Sequence, residues 1–264
     1  MDLLLANLPT VAAILAIMTV LAVVETVIPL QARSRWHRVH LGPNLALTLL
    51  TLATNIFLNT AVVLMLLWLE ARGVGLLRWA SLGPVVAGVL GVLVLDFSWY
   101  LLHAAMHEVP ALWRIHRVHH SDPVVDVTTT VRQHPTEGLL RYATIALFAC
   151  TFGIGVAAFT VYRAWSAING LLEHTNVRLP RWLDRAWLLV SVSPSMHRIH
   201  HSRDVRETDS NYGNIFSFFD RLFATYTPDR AGRDVVCGLD GFDEPAAQTT
   251  TSLLWLPFQD RVPS

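Results

Sequence analysis

The sequence predicts an all-α integral membrane protein. About four membrane helices are expected, three spans plus a re-entrant or short helical hairpin, capped by a cytoplasmic histidine-rich helical domain. Three observations carry this. Of 264 residues, 53% are hydrophobic and only 15% charged, against about 25% charged in an ordinary soluble domain. The apolar residues lie in runs long enough to cross a bilayer. The histidines, twelve in all, gather where those runs end.

Leu3 to Leu30 is almost unbroken hydrocarbon, interrupted by Asn7, Pro9 and Glu25. About 20 residues cross a ~30 Å hydrocarbon core, so this run is long enough to span. It lacks the basic leader and short core of a signal peptide. Glu25 lies deep in the run, where a carboxylate faces protein or water or else sits at the interface. The next loop carries Arg33, Arg35 and Arg38 with His37 and His40, which places it in the cytoplasm and the N-terminus outside. Both histidines read as surface residues of a basic loop. A second span runs from Pro43 to about Leu69, an outer loop covers Glu70 to Arg78, and a third span returns from Trp79 to Leu102. The apolar stretch Leu139 to Leu172 is too short for two full crossings of about 20 residues each. A hairpin is expected, turning near Phe152–Gly155 and returning by His174, its first arm too short to reach the far side. From Arg178 the chain is polar and forms the cap. The expected units are an anchor at 1–92, a core at 93–226 and a tail at 227–264 packed on the cap.

Twenty basic and twenty acidic residues leave no net field, which argues against nucleic acid as a partner. Cys150 and Cys237 are isolated, so neither a disulfide framework nor a thiolate metal site is expected. The histidines do carry a pattern. His103 and His107 lie one helical turn apart at the end of the third span. His116, His119 and His120 repeat the spacing H-x-x-H-H, and His197, His200 and His201 repeat it again. Residues three and four apart share a helix face. Eight such nitrogens exceed the needs of one four-coordinate zinc and suit two metals with open positions. Imidazole alone does not choose among iron, zinc and copper. The two triplets can meet only if the hairpin turns back.

The set H-A-A-M-H, H-R-V-H-H and H-R-I-H-H on a polytopic chain resembles the fatty acid hydroxylase / sterol desaturase superfamily of membrane-bound di-iron enzymes. R-Q-H-P-T-E at Arg132–Glu137, L-E-H-T-N-V-R-L-P at Leu172–Pro180 and the run Asp209–Tyr226 agree with it, so the resemblance covers about Leu93 to Tyr226. It implies two iron ions that activate O2 as co-substrate to hydroxylate or desaturate an unactivated C–H bond of a membrane lipid. The implied ligands are His103, His107, His116, His119, His120, His197, His200 and His201, with His174 as the ninth. Some relatives place a tenth histidine where this chain has Gly170, so a tenth ligand comes from elsewhere or is replaced by water; His134 is the candidate, or else it only shapes a turn with Pro135. Asp96 and Glu137 are the candidate catalytic carboxylates. Asp96, with Asp204 or Asp209, would orient ligand rings, or Asp96 pairs with Arg141; Glu137 would otherwise cap the next helix. Phe97, Trp99, Tyr100 and Trp165 line the lipid path or anchor the interface.

The chain has no flavin, haem or iron–sulfur motif, so electrons come from an external donor, a reductase, ferredoxin or cytochrome-type partner. The expected location is a bacterial inner membrane with the metal site on the cytoplasmic side; oligomeric state is not legible. Two rival readings remain. A non-catalytic metal-binding membrane protein would need ionisable residues along its spans. A zinc hydrolase would need an H-E-x-x-H pattern.

Overall fold

Apolar runs of this length fold as helices because lipid offers nothing else to satisfy the backbone amides. The computed structural model describes residues 5, 7–32, 34–228 and 235–259. Arg33 of the basic loop and parts of the 227–264 tail lie outside the described residues. Among the described residues three helices are long and apolar enough to cross a membrane: α1 (Leu8–Val27), α2 (Leu41–Arg72, extended by a short helix to Trp79) and α3 (Pro84–Glu108). Proline opens α1 and α3 in the first turn, where its missing N–H costs nothing. α2 stops at Gly73, which takes the left-handed conformation at φ 63°.

Val109 is extended (φ −101°, ψ 113°) and precedes Pro110, so α3 ends there and α4 (Pro110–His120) starts in a new direction. That break folds α4 back against the end of α3. A 3₁₀ turn, Val127–Val131, follows under an Asp126 capping box.

The hairpin forms from α5 (Pro135–Phe152) and α6 (Val156–Glu173), and its turn falls at Gly153–Gly155 as expected. Its reach is not as expected. Each arm has 18 residues, about 27 Å of helix, and the tip meets the loop at the far end of α2. The Val156 N–H donates to Glu70 Oε1 at 3.1 Å. Gly153 (φ 69°) and Gly75 (φ 123°) pass backbone to backbone, and a Cβ on either would collide with the other. The shorter estimate counted only the apolar run from Leu139. α5 in fact begins at Pro135 and takes in polar Glu137 and Arg141, which point into the protein.

Leu66 and Leu69 of α2, Leu95 of α3, Ile145 of α5 and Phe159 of α6 form the main buried cluster. Between membrane helices the gain is chiefly close packing, since lipid is as apolar as leucine. α7 (Arg181–Leu188) and α8 (Pro194–His200) belong to the cap. Glu25 is buried after all: its Oε1 accepts from the Val127 N–H at 2.9 Å and the Asn176 N–H at 2.8 Å, fastening α1 to both polar loops. At the C-terminal end, Leu239, Phe242, Leu253 and Leu256 pack on Leu47 and Val118.

Candidate metal centre

Nine histidines, drawn from α3, α4, α8, the end of α6 and the residue after α8, converge where the hairpin returns. They divide into two groups. His103, His107, His116, His120 and His200 form one; His119, His174, His197 and His201 form the other, and all nine are buried. Within each group one nitrogen per ring lies within 4.8 Å of the others. α4 sorts its own triplet: His116 and His120, one turn apart, face the first group, while His119 faces the second.

Their nitrogens are too well ordered for a knot of ordinary hydrogen bonds. His103 Nδ1 donates to the Tyr212 carbonyl (2.8 Å), His200 Nδ1 to that of Ser210 (2.7 Å) and His174 Nδ1 to that of Gly170 (2.7 Å). A carbonyl can only accept, so these neutral rings present a bare lone pair at Nε2. His116 Nδ1 likewise meets Glu137 Oε2 at 3.2 Å, and His107 Nδ1 meets Asp209 Oδ1 at 3.1 Å. Yet His103 Nε2 lies 3.1 Å from His116 Nε2, and His174 Nε2 lies 3.1 Å from His119 Nε2 and 3.0 Å from His197 Nε2. For His103 and His116, whose Nδ1 atoms both face acceptors, lone pair faces lone pair, an arrangement that suits a cation between them. Imidazole nitrogens bound at about 2.0–2.1 Å to one ion stand about 3–3.4 Å apart. His107 Nε2 and His200 Nε2 are buried without a hydrogen-bond partner, as unfilled ligand positions would be. Burial, and then the neighbouring rings, hold His116, His119, His120, His197 and His201 well below the usual imidazole range, so these are neutral donors to a metal. The donor set therefore fits two metal ions.

A cavity of about 100 Å³ opens on both groups, reaching His103 and His116 of one and His119, His174 and His197 of the other. Gly170 lies on its wall, so the missing tenth histidine leaves open space rather than a substitute ring. Glu173 lies there too, its Oε1 3.9 Å from His197 Nε2 and its Oε2 accepting from Asn169 at 3.1 Å. Sequence reasoning missed Glu173. The one signal was a carboxylate directly before His174.

His134 does not join either group. Its side chain caps α5, with Nδ1 2.6 Å from Thr136 Oγ1 and accepting from the Thr136 N–H at 3.3 Å. Glu137 reaches His116 and leaves the capping to His134. Asp96 touches neither a histidine nor Arg141: it accepts from the backbone N–H groups of Ile215 (3.1 Å) and Phe216 (2.9 Å) and from Asn214 (3.2 Å), pinning the 214–216 loop to α3. Asp204 caps a one-turn helix, and of the suggested orienting aspartates only Asp209 meets a ring. His37 is half-buried, its Nδ1 accepting from the Ser34 N–H at 3.1 Å, and His40 is buried between Asp122 (2.9 Å) and Asp126 (3.1 Å). Among the four suggested aromatics, Trp99 lines the cavity; Trp165 lines a separate apolar groove, and Phe97 and Tyr100 stack on Phe223 under the cap.

Comparison with known proteins places this geometry. A family model described as fatty acid hydroxylase matches residues 88–225, just over half of the chain. An alkylglycerol monooxygenase of Caenorhabditis elegans is 33% identical over 148 residues, 54% of this chain and 28% of that protein. An ornithine lipid hydroxylase of Rhizobium tropici, OlsE, is 34% identical over 139 residues, 52% of this chain and 41% of that protein. An alkylglycerol monooxygenase of Danio rerio is 32% identical over 156 residues, 58% of this chain and 32% of that protein. The chain thus spans well under half the length of these relatives. No solved structure matches.

Proposed function

The chain belongs to the fatty acid hydroxylase family, and from that premise we propose that it hydroxylates an unactivated C–H bond of a membrane lipid. Desaturation is the sister outcome at the same site. The observation that carries the reading is the cavity whose wall is made by histidines of both groups. In this reading His103, His107, His116, His120 and His200 hold one iron, and His119, His174, His197 and His201 hold the other. Bound there, the irons supply the activation of O2 that the net change requires: R–H, O2, two electrons and two protons become R–OH and water.

The protein's part is orientation and exclusion. Carbonyls of Tyr212, Ser210 and Gly170 fix three tautomers, and Glu137 and Asp209 do so for His116 and His107, raising ligand basicity. Trp99 and Leu52 limit water in the cavity. Asp209 is partly exposed while His107 is not, so this pair links the first group to solvent. We place the electron donor on that side. The basic loop before α2 favours a cytoplasmic histidine end. We assign 1–92 as anchor, 93–226 as the catalytic unit and 227–264 as a tail packed on it.

Metal analysis of detergent-purified protein tests the reading. Two irons per chain are expected, with loss in His119→Ala and in His200→Ala; one zinc, or metal kept in both variants, would sink it. Comparative lipidomics of a deletion strain then identifies the substrate.

A further inference from the structure

Two guanidinium groups line the cavity beside the histidines, and only one has a counter-charge. Arg141 lies 3.7 Å from Glu137 Oε1 and stacks on Trp99 at 4.2 Å. Arg163, on α6, lies over the Tyr142 ring at 5.1 Å and makes no hydrogen bond or ion pair among the described residues. By helix rise it stands about 10 Å from the hairpin tip and about 15 Å from Glu173. A half-buried cation without a counter-charge, on the wall of a cavity within a membrane bundle, is a candidate ligand-binding group. Asn55 lines the same wall, with its Oδ1 buried and turned against Gly138.

The surroundings say what ligand suits them. Arg163 and Asn55 line both the 100 Å³ cavity and a groove of about 300 Å³ that runs between α1, α2 and α6. Ile14, Leu52 and Ala167 are shared in the same way, so the two spaces adjoin. A water takes about 30 Å³, so the inner cavity holds a headgroup and a few carbons, not an acyl chain. The groove is lined mainly by aliphatic residues such as Val11, Ile17, Ile56 and Val63. It suits the chain.

Resting on the lipid-oxidation reading, we propose that the substrate is an anionic amphiphile bound headgroup-inward. Arg163, with Arg141 beside it, holds a carboxylate or phosphate oxygen of the headgroup. The tail leaves through the groove. The carbon presented to the histidines is then within a few bonds of the headgroup, not in mid-chain. Arg163 is a specificity residue of this chain, since a neutral amphiphile gains nothing from it.

Equilibrium binding to the full-length protein in neutral detergent tests this, using palmitate, hexadecyl phosphate, hexadecanol and inorganic phosphate. Palmitate or hexadecyl phosphate should bind about tenfold or more tighter than hexadecanol, the value of a charge-assisted hydrogen bond. Arg163→Gln should abolish that preference, and Arg163→Lys should keep part of it, with metal content unchanged in both. Equal binding of palmitate and hexadecanol to the unaltered protein overturns the proposal even if the variants fail to fold. So does an undiminished preference in Arg163→Gln, or inorganic phosphate binding as tightly as hexadecyl phosphate, which would mark a site for the free ion. A charge preference in protein that holds no iron would instead sustain the headgroup site and sink the di-iron reading.

Discussion

The two histidine groups are built from the same residue and differ in everything around it. Both groups border the cavity, but the group of five has two of its rings held by carboxylates, Glu137 and Asp209, that arrive from α5 and the cap. The group of four has an open flank at Gly170, a ring held only by a carbonyl, and a buried carboxylate, Glu173, that forms no short contact with it. Rings fixed by carboxylates favour retention of an ion. An open flank favours exchange and the approach of a second molecule. The comparison teaches that equal ligand chemistry divides into unequal tasks through the side chains behind it.

The sharpest break of this comparison is loss of a ligand on each side. His200→Ala and His119→Ala should each abolish turnover, but the His119 variant should lose its metal to a chelator first, followed by metal analysis over time. Equal loss rates in the two variants would erase the distinction. Next in size is removal of the orienting carboxylates. Glu137→Gln and Asp209→Asn should each weaken metal binding or activity by about 10–100-fold, measured by metal titration. Glu173→Gln should alter turnover far more than metal content.

The hairpin tip gives a smaller effect that reaches both groups together. Gly153→Val forces a branched residue into φ 69° against Gly75. A cost of about 1–3 kcal/mol or more is expected from the strained backbone, read as a lowered midpoint of thermal unfolding in detergent.

The smallest effect is pH-dependent. Burial opposes charge on His40, but Asp122 and Asp126 outweigh it and push it up to about 10. The folded value lies above the ordinary 6.5, so the stabilisation is complete below about 6.5 and fades as pH rises through about 10. The difference in thermal midpoint between the unaltered protein and His40→Gln should therefore be largest near pH 6 and shrink towards pH 10. A constant difference would mean that His40 acts through packing alone.

How much of this was legible depended on distance along the chain. Eight of the nine clustered histidines announce themselves because three- and four-residue spacings are local and helices turn them into faces; His174 stands alone in sequence and is marked only by the family resemblance. The partners of Asp96 are 118 to 120 residues away and those of His40 are 82 and 86 away. Nothing in their own neighbourhoods distinguishes an aspartate clamping a loop from one orienting a ring, or a surface histidine from a buried ion-paired one. His134 misled for a related reason. It is the right residue in the right stretch, yet its own helix uses it as a cap. The hairpin's turn was legible from Gly153 and Gly155, but its length was not, because apolar content undercounts arms whose polar residues face inward.

Those inward polar residues carry a consequence for assembly. Glu137, Arg141, Arg163 and Glu173 lie on the two arms, and neither α5 nor α6 is among the helices apolar enough to cross on their own. The arms therefore depend on α1, α2 and α3 already standing in the bilayer to receive their charged side chains. Insertion is then ordered in time: the scaffold goes in first, the hairpin slots into it, and the last triplet of histidines arrives only when that step is done. A chain stalled before it would be embedded without the last triplet of histidines. The two groups thus come together late, as a product of the hairpin's seating.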